Sequence, residues 1–328
     1  AVAHAISLHE GLVREDEAGE PHAPLEPLIV AILWDADKLT KLGVQSMAYY
    51  LSGHHVHGMS LTERRRNLTR FVETTLVRTV ASMNTEAGRQ LAARRLDEMR
   101  AALAEVSNND AARVLVLTGN GRGFCAGADL ADGGMKSDLS IGEAVAQNME
   151  ERFNPLVRDL FHLNKPLLVA VNGTTAGGGV GLALSGDITI AARSATFKLT
   201  FVPRLGIIPD CGASFFLQRV VGRARALGMS ILGESLPAER AAEWGLIWSC
   251  VDDDKLMDEA MAIAARLAAG PTLVFSQLRR ALAAAEHNTL DEQLDLERDT
   301  QHVLCDSEDF MEGTMAFLQK RKPDFKGR

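Results

Sequence analysis

Two short apolar runs, "RVLVLT" at 113–118 and "PLLVAV" at 166–171, each break off into a glycine-rich turn. A continuous Val/Leu run of strand length fits a strand covered on both faces, the kind found in parallel sheets flanked by helices. "DITIAARSATFKL" adds two further strand-like pieces, and helical stretches lie between the runs. From about residue 112 the chain therefore reads as an α/β region.

The flanks have a different texture. Residues 1 to about 92 read as helical throughout: "LEPLIVAILWDADKLTKLG" carries apolar residues at helical spacing and stops at Gly43, and "LTERRRNLTRFVETTLVRTVASM" and "TEAGRQLAARRLDEMRAALAEV" follow the loop "SGHHVHGMS". Beyond Lys255 four amphipathic stretches follow one another. The expected division is an all-helical segment over 1–92, an α/β core over 93–254 and a helical region over 255–328. At 328 residues and 46% hydrophobic, the chain can bury a large core.

A formal charge of -8 argues against general nucleic-acid affinity, and no nucleic-acid partner is expected. Cys125, Cys211, Cys250 and Cys305 show neither CxxC pairing nor the density of a disulfide scaffold, so reduced thiols and a cytoplasmic location are expected. "PLIVAILW" is too short to cross a bilayer, and no membrane partner is expected.

The two glycine turns, "GNGRGFCAGADL" and "NGTTAGGGVGLAL", place free backbone N–H groups where strands give way to helices. No GKS or GKT accompanies them, and "GGGVG" does not match GxGxxG, so neither a P-loop nor a dinucleotide turn is indicated. The plainer reading is that these glycines serve only tight turns and close helix packing. Two converging N–H donors would instead suit a developing enolate oxygen, at about 3 kcal/mol per donor. Such chemistry needs a proton carrier, and Asp210 in "LGIIPDCGAS" is the candidate. An Asp just before a helix is also a favoured N-cap, worth about 1 kcal/mol, and the local sequence leaves both readings open.

"GRGFCAGADL", "NKPLLVAVNGTTAGGGVGLALSGDITIAARSATF", "LGIIPDCGAS", "ERAAEWGLIWSCV" and "EGTMAFLQKRKPDFKGR" occur in the order and spacing of the crotonase (enoyl-CoA hydratase/isomerase) superfamily, which the chain resembles from about Leu96 to Arg328. The nearest branch is that of 2-(1,2-epoxy-1,2-dihydrophenyl)acetyl-CoA isomerases. The resemblance implies a ββα spiral core and a C-terminal helical region making homotrimer or hexamer contacts. It also implies an acyl-CoA thioester as substrate, so that coenzyme A is part of the substrate and no separate cofactor or metal is expected.

Carried over by motif, the oxyanion hole falls on the backbone N–H groups of Ala128 and Gly178. The CoA contacts fall on Ala126, Asp129 and Leu130, with Phe317 and Lys320 from the C-terminal helix, often of a neighbouring subunit. The basic tail "KRKPDFKGR" would suit the nucleotide phosphates. Family hydratases use two glutamates, whose positions hold Gly181 and Val202 here. Without paired carboxylates, water addition lacks its acid and base. Asp210 stands where family isomerases carry a single acid, so the expected activity is double-bond migration, or opening and rearrangement of an epoxide, next to the thioester. Burial among Ile207, Ile208 and Phe216 is expected to raise its pKa. The alternatives are an aryl-CoA dehalogenase or hydrolase with Asp210 as nucleophile, for which His162 is the available histidine, and a catalytically impaired CoA-binding fusion.

The resemblance breaks down near the start of the chain, where the family's first strand is missing. "HAISLHE", "LIVAILWDADKLTKLG" and "MNTEAGRQLAARR" instead resemble the second half of HD-domain phosphohydrolases, with Asp35 at their last metal-ligand position. No His-Asp dipeptide occurs anywhere in the chain, and one carboxylate does not hold a catalytic metal, so this segment reads as a truncated remnant without its own activity. His54, His55 and His57 read as a polar loop rather than a metal site, and Met47, Met59 and Met83 as packing residues.

Overall fold

The computed structural model describes residues 4–7, 28–34, 86–127 and 139–328. Leu96, Met99, Leu103 and Val106 recur at three- and four-residue intervals and are all buried, which makes Glu86–Asn108 (α1) a helix with one face turned inward. The two apolar runs that open the glycine turns are strands, Ala112–Gly119 (β3) and Leu167–Val171 (β5). Every residue of both is buried.

His4–Ser7 (β1) and Leu28–Trp34 (β2) precede α1, and the first sheet runs β1, β2, β3, β5, Ile188–Ala192 (β7), Ser249–Val251 (β10), all in parallel. A second, smaller sheet is made of Gly123–Cys125 (β4), Thr174–Ala176 (β6), Thr196–Lys198 (β8) and Leu236–Pro237 (β9), parallel except for the β8–β9 pair. The chain thus passes three times from a long strand of one sheet to a short strand of the other and on into a helix. These helices are Ile141–Asn148 (α2), continued by a π-helical turn at Met149–Phe153 and by Asn154–Phe161 (α3), then Gly178–Leu184 (α4), then Ala213–Leu232 (α5). This is the ββα spiral that the sequence motifs imply.

Ala238–Glu243 (α6) precedes β10, and after it come the helices Leu256–Ala268 (α7), Thr272–Ala285 (α8), Leu290–Cys305 (α9) and Glu308–Leu318 (α10). Helix α7 lies on β3, β5 and β7 and covers the first sheet. Among the described residues no single helix is long and apolar enough to cross a membrane.

A polar clasp joins the far end of the chain to this core. The Arg113 guanidinium, at the start of β3, donates to Thr272 Oγ1 at 2.5 Å and to the Gly270 carbonyl at 2.6 Å. Gly327 lies over it, so that a Cβ there would come within 2.8 Å of Cζ. The Asp309 carboxylate, only 3% exposed, accepts the backbone N–H groups of Lys326 and Gly327 at 2.6 and 2.8 Å.

Two expectations for the first 92 residues are corrected. Residues 28–34, read as part of a helix, form β2, which pairs with β3 in the register Val30↔Leu115 and Ile32↔Leu117. Residues 4–7 add β1, so the segment is not all-helical. A wholly apolar run of strand length satisfies helical and buried-strand patterns alike, and the open edge of β3 supplies the hydrogen-bonding partner that decides. The sheet therefore does have a strand before α1, where the motifs had suggested none. Asp35, His54, His55, His57, Met47, Met59 and Met83 lie outside the described residues.

Candidate active site

The two glycine turns are brought together by a single side chain. Asn172, at the end of β5, accepts the Gly119 N–H through Oδ1 at 3.0 Å and donates through Nδ2 to the carbonyls of Gly121 and Gly123 at 3.0 and 3.3 Å. It ties the turn after β3 to the turn after β5. No side chain fits between them: a Cβ on Gly173 would lie 2.0 Å from the Arg122 carbonyl oxygen. The consequence appears one strand further on, where Gly127 and Gly177 touch backbone to backbone. A Cβ on Gly177 would lie 3.5 Å from the Gly127 Cα, and φ is +94° and +57° at these two positions, which glycine adopts readily. The residues that follow them are Ala128, which lies outside the described residues, and Gly178, which opens α4.

The segment before α5 closes over α4. A Cβ on Gly178 would meet the Cys211 Sγ at 2.7 Å and the Asp210 Oδ1 at 3.1 Å. On Gly179 it would meet the Cβ of Cys125 at 2.5 Å, and on Gly181 the Cys211 carbonyl oxygen at 2.1 Å. The packing reading of the glycines is thus right for Gly179 and Gly181. Gly178 differs, because its missing side chain is the space onto which a carboxyl and a thiol converge.

Asp210 does not cap α5. The N-cap position belongs to Gly212, at φ +75°, and receives no side-chain bond; Asp210 contributes only its backbone carbonyl, which accepts the Ala213 N–H at 2.9 Å. The Oδ1 of Asp210 is buried without a hydrogen-bond partner. Burial pushes the carboxyl above the usual carboxylate range, and the neighbouring Cys211 thiol, as a donor, pulls it partly back. The source of the burial differs from the expected one. Ile207 and Ile208 are exposed, Ile208 at 78%; in the Phe201–Leu205 π-helical turn before them Phe201 is buried, while Val202 and Leu205 are exposed. Phe216 is half-buried, in ring contact with Phe161 and Phe215.

Of the other positions singled out by sequence, Ala126 is exposed just before Gly127, and Asp129 and Leu130 lie outside the described residues. Phe317 is 83% exposed on α10, and Lys320 beyond it is exposed with φ +53°. Val202 is exposed on the π-helical turn. His162 is exposed at the end of α3, edge-on to the Phe161 ring.

Two residues of the site carried weak signals in the sequence. Asn172 stood only inside the glycine turn "NGTTAGGGVGLAL", without a role, and Cys211 only as one of four separate thiols.

Comparison with known proteins agrees with this fold. Residues 78–328 match the family described as enoyl-CoA hydratase/isomerase. The 1,2-epoxyphenylacetyl-CoA isomerase of Escherichia coli K12 is 51% identical over 236 residues, covering 71% of this chain and 89% of that protein. The 2,3-dehydroadipyl-CoA hydratase of the same organism is 36% identical over 233 residues, covering 71% and 87%. Among solved structures, an enoyl-CoA hydratase from Bacillus anthracis superposes with a TM-score of 0.66 at 31% identity, covering 71% of this chain and 88% of that one. The chain belongs to the enoyl-CoA hydratase/isomerase family.

Proposed function

We propose that the protein is an acyl-CoA isomerase that uses Asp210 as its single acid/base. In this reading the thioester carbonyl is gripped by the backbone N–H groups of Ala128 and Gly178. The Asp210 carboxylate takes a proton from the carbon next to the carbonyl, and the electron pair moves onto the carbonyl oxygen to give an enolate. The two N–H donors stabilise that charge. Protonated Asp210 then returns the proton to the far carbon of the unsaturated system, which brings the double bond into conjugation. Nothing is consumed and no water enters.

The observation that carries the reading is the buried, unpartnered Oδ1 of Asp210 beside Gly178. A carboxyl buried with one oxygen unsatisfied holds its proton more tightly than an exposed one, as a group that must both take and give a proton requires. A second observation disfavours hydration: position 181 is closed to any side chain by the Cys211 carbonyl. The name of the Escherichia coli relative extends the proposed substrates to an aromatic epoxide carried on CoA, whose opening would draw on the same enolate. A nucleophilic role for Asp210 has less support, since His162 is exposed at the end of α3.

The CoA moiety is assigned to Ala126, Asp129, Leu130, Phe317 and Lys320. The exposed apolar side chains Phe310, Met311, Met315 and Phe317 on α10 support a trimer or hexamer in which one subunit covers a neighbour's nucleotide. The test is Asp210→Asn with a 3-enoyl-CoA thioester, followed by the absorbance of the conjugated product. Turnover is expected to fall by about 10²- to 10⁴-fold while calorimetry still detects acyl-CoA binding. Full turnover in this variant would overturn the assignment.

A further inference from the structure

We propose that Cys211 is a positioning residue for Asp210, its thiol turned inward by a left-handed backbone to lie against the carboxyl and set how readily the carboxyl releases its proton. The inference rests on the assignment of Asp210 as acid/base.

Among the described residues only Cys211 and Lys320 adopt positive φ without being glycine, and Cys211 does so at +49°. Cysteine has no local hydrogen bond that favours this region, as Asn or Asp has, and such a conformation persists only where its surroundings impose it. Here the next residue, Gly212, is left-handed as well. The two together wrap the chain around Asp210 instead of letting α5 begin at once. The result is convergence: the Cys211 Sγ and the Asp210 Oδ1 both lie against the place a Cβ on Gly178 would fill, at 2.7 and 3.1 Å. The thiol is itself buried.

The chemistry of the pair follows from its surroundings. Burial, reinforced by the neighbouring carboxyl, holds the Cys211 thiol far above its ordinary pKa, so it remains an S–H donor throughout the working range. For Asp210 burial favours the protonated form, while the thiol and, after it, the residue's own backbone N–H favour the carboxylate. Among the described residues no charged side chain acts on it. Helix α4 carries no ionisable group from Gly178 to Leu184, β4 contributes the Cys125 thiol at Gly179, and α3 places Val157 against Gly212. The first charged residue of α5, Arg219, is paired with Glu286. Cys211 is thus left as the side chain that opposes the effect of burial.

The experiment compares the pH profile of kcat for wild type, Cys211→Gly and Cys211→Ser, with a 3-enoyl-CoA thioester as substrate. Glycine accepts the left-handed backbone without strain, so the first variant removes the thiol while relieving the conformation, and thermal melts verify that both variants fold. In Cys211→Gly the acid limb is expected to move up by about half to one pH unit, the proton-affinity equivalent of one lost hydrogen bond. In Cys211→Ser, whose hydroxyl is a stronger donor, it is expected to return to the wild-type position or below. A role in packing alone would lower kcat equally at all pH values. An acid limb unmoved in Cys211→Gly, or displaced equally in both variants, overturns the inference while Asp210 keeps its assignment. Full turnover in Asp210→Asn overturns both.

Discussion

Asp210 is held where it costs the fold stability. Its carboxyl is raised by burial, so ionisation is harder in the folded chain than in the unfolded one. The sign follows directly: whatever stability the protonated group provides is present below the unfolded value of about 3.9 and is lost as pH rises through the folded value. Asparagine imitates the neutral acid at every pH. Asp210→Asn is therefore expected to melt at a higher temperature than wild type at pH 8, with the difference vanishing below about pH 4. Thermal melts followed by circular dichroism across that range would measure it, and a variant less stable at pH 8 would contradict the account. Gly181 makes the opposite case. Restoring the glutamate of family hydratases at this position is expected to yield a destabilised protein without hydratase activity, because the new Cβ would meet the Cys211 carbonyl oxygen at 2.1 Å. A denaturant midpoint and a hydration assay on a 2-enoyl-CoA would show both effects. Neither outcome is legible in the local sequence, which leaves the cap and the base both open for Asp210. What separates the readings is the left-handed Gly212, which takes the N-cap position and leaves the carboxyl out of the cap.

The elements that hold the two glycine turns together depend on Asn172. Replacing it with Ala removes three hydrogen bonds and leaves the Gly119 N–H without its acceptor in a part-buried setting. The expected loss is about 2 kcal/mol, measurable by urea denaturation, together with reduced kcat as the Gly127–Gly177 contact loosens. An unchanged midpoint would show that the turns close without it. Strands β3 and β5 were readable because a turn glycine closes each apolar run, and the helix α1 because its apolar stripe keeps helical spacing. Residues 28–34 were not, because an apolar run of seven residues takes its form from its neighbour, and the neighbour is β3, more than eighty residues away. The outward turn of Ile207 and Ile208 was hidden for a related reason. Their composition says core, while the π-helical turn before them points them to the surface.

At the scale of the whole molecule, the C-terminal helices leave large apolar side chains exposed, among them Leu282 on α8, Leu290 on α9 and Phe317 on α10. Patches of this kind mark association surfaces. Sedimentation is expected to give a trimer or hexamer, and Phe317→Glu to shift it toward monomer; a monomeric wild type would contradict that expectation. The order of the core motifs was legible through the family resemblance, and two of them adjoin a buried strand that ends in a glycine turn. The tail was not, since "KRKPDFKGR" reads as a basic segment suited to nucleotide phosphates, whereas its Lys326 and Gly327 amides reach the interior carboxylate of Asp309. Asp309→Ala is expected to lower stability by about 2 to 3 kcal/mol, again by urea denaturation. Arg113, at the mouth of the first glycine-bearing strand, lies under Gly327. A nascent chain therefore lacks the cover over Arg113 until residue 327 has been synthesised, so that the entrance to this strand closes only after every strand of the core has left the ribosome.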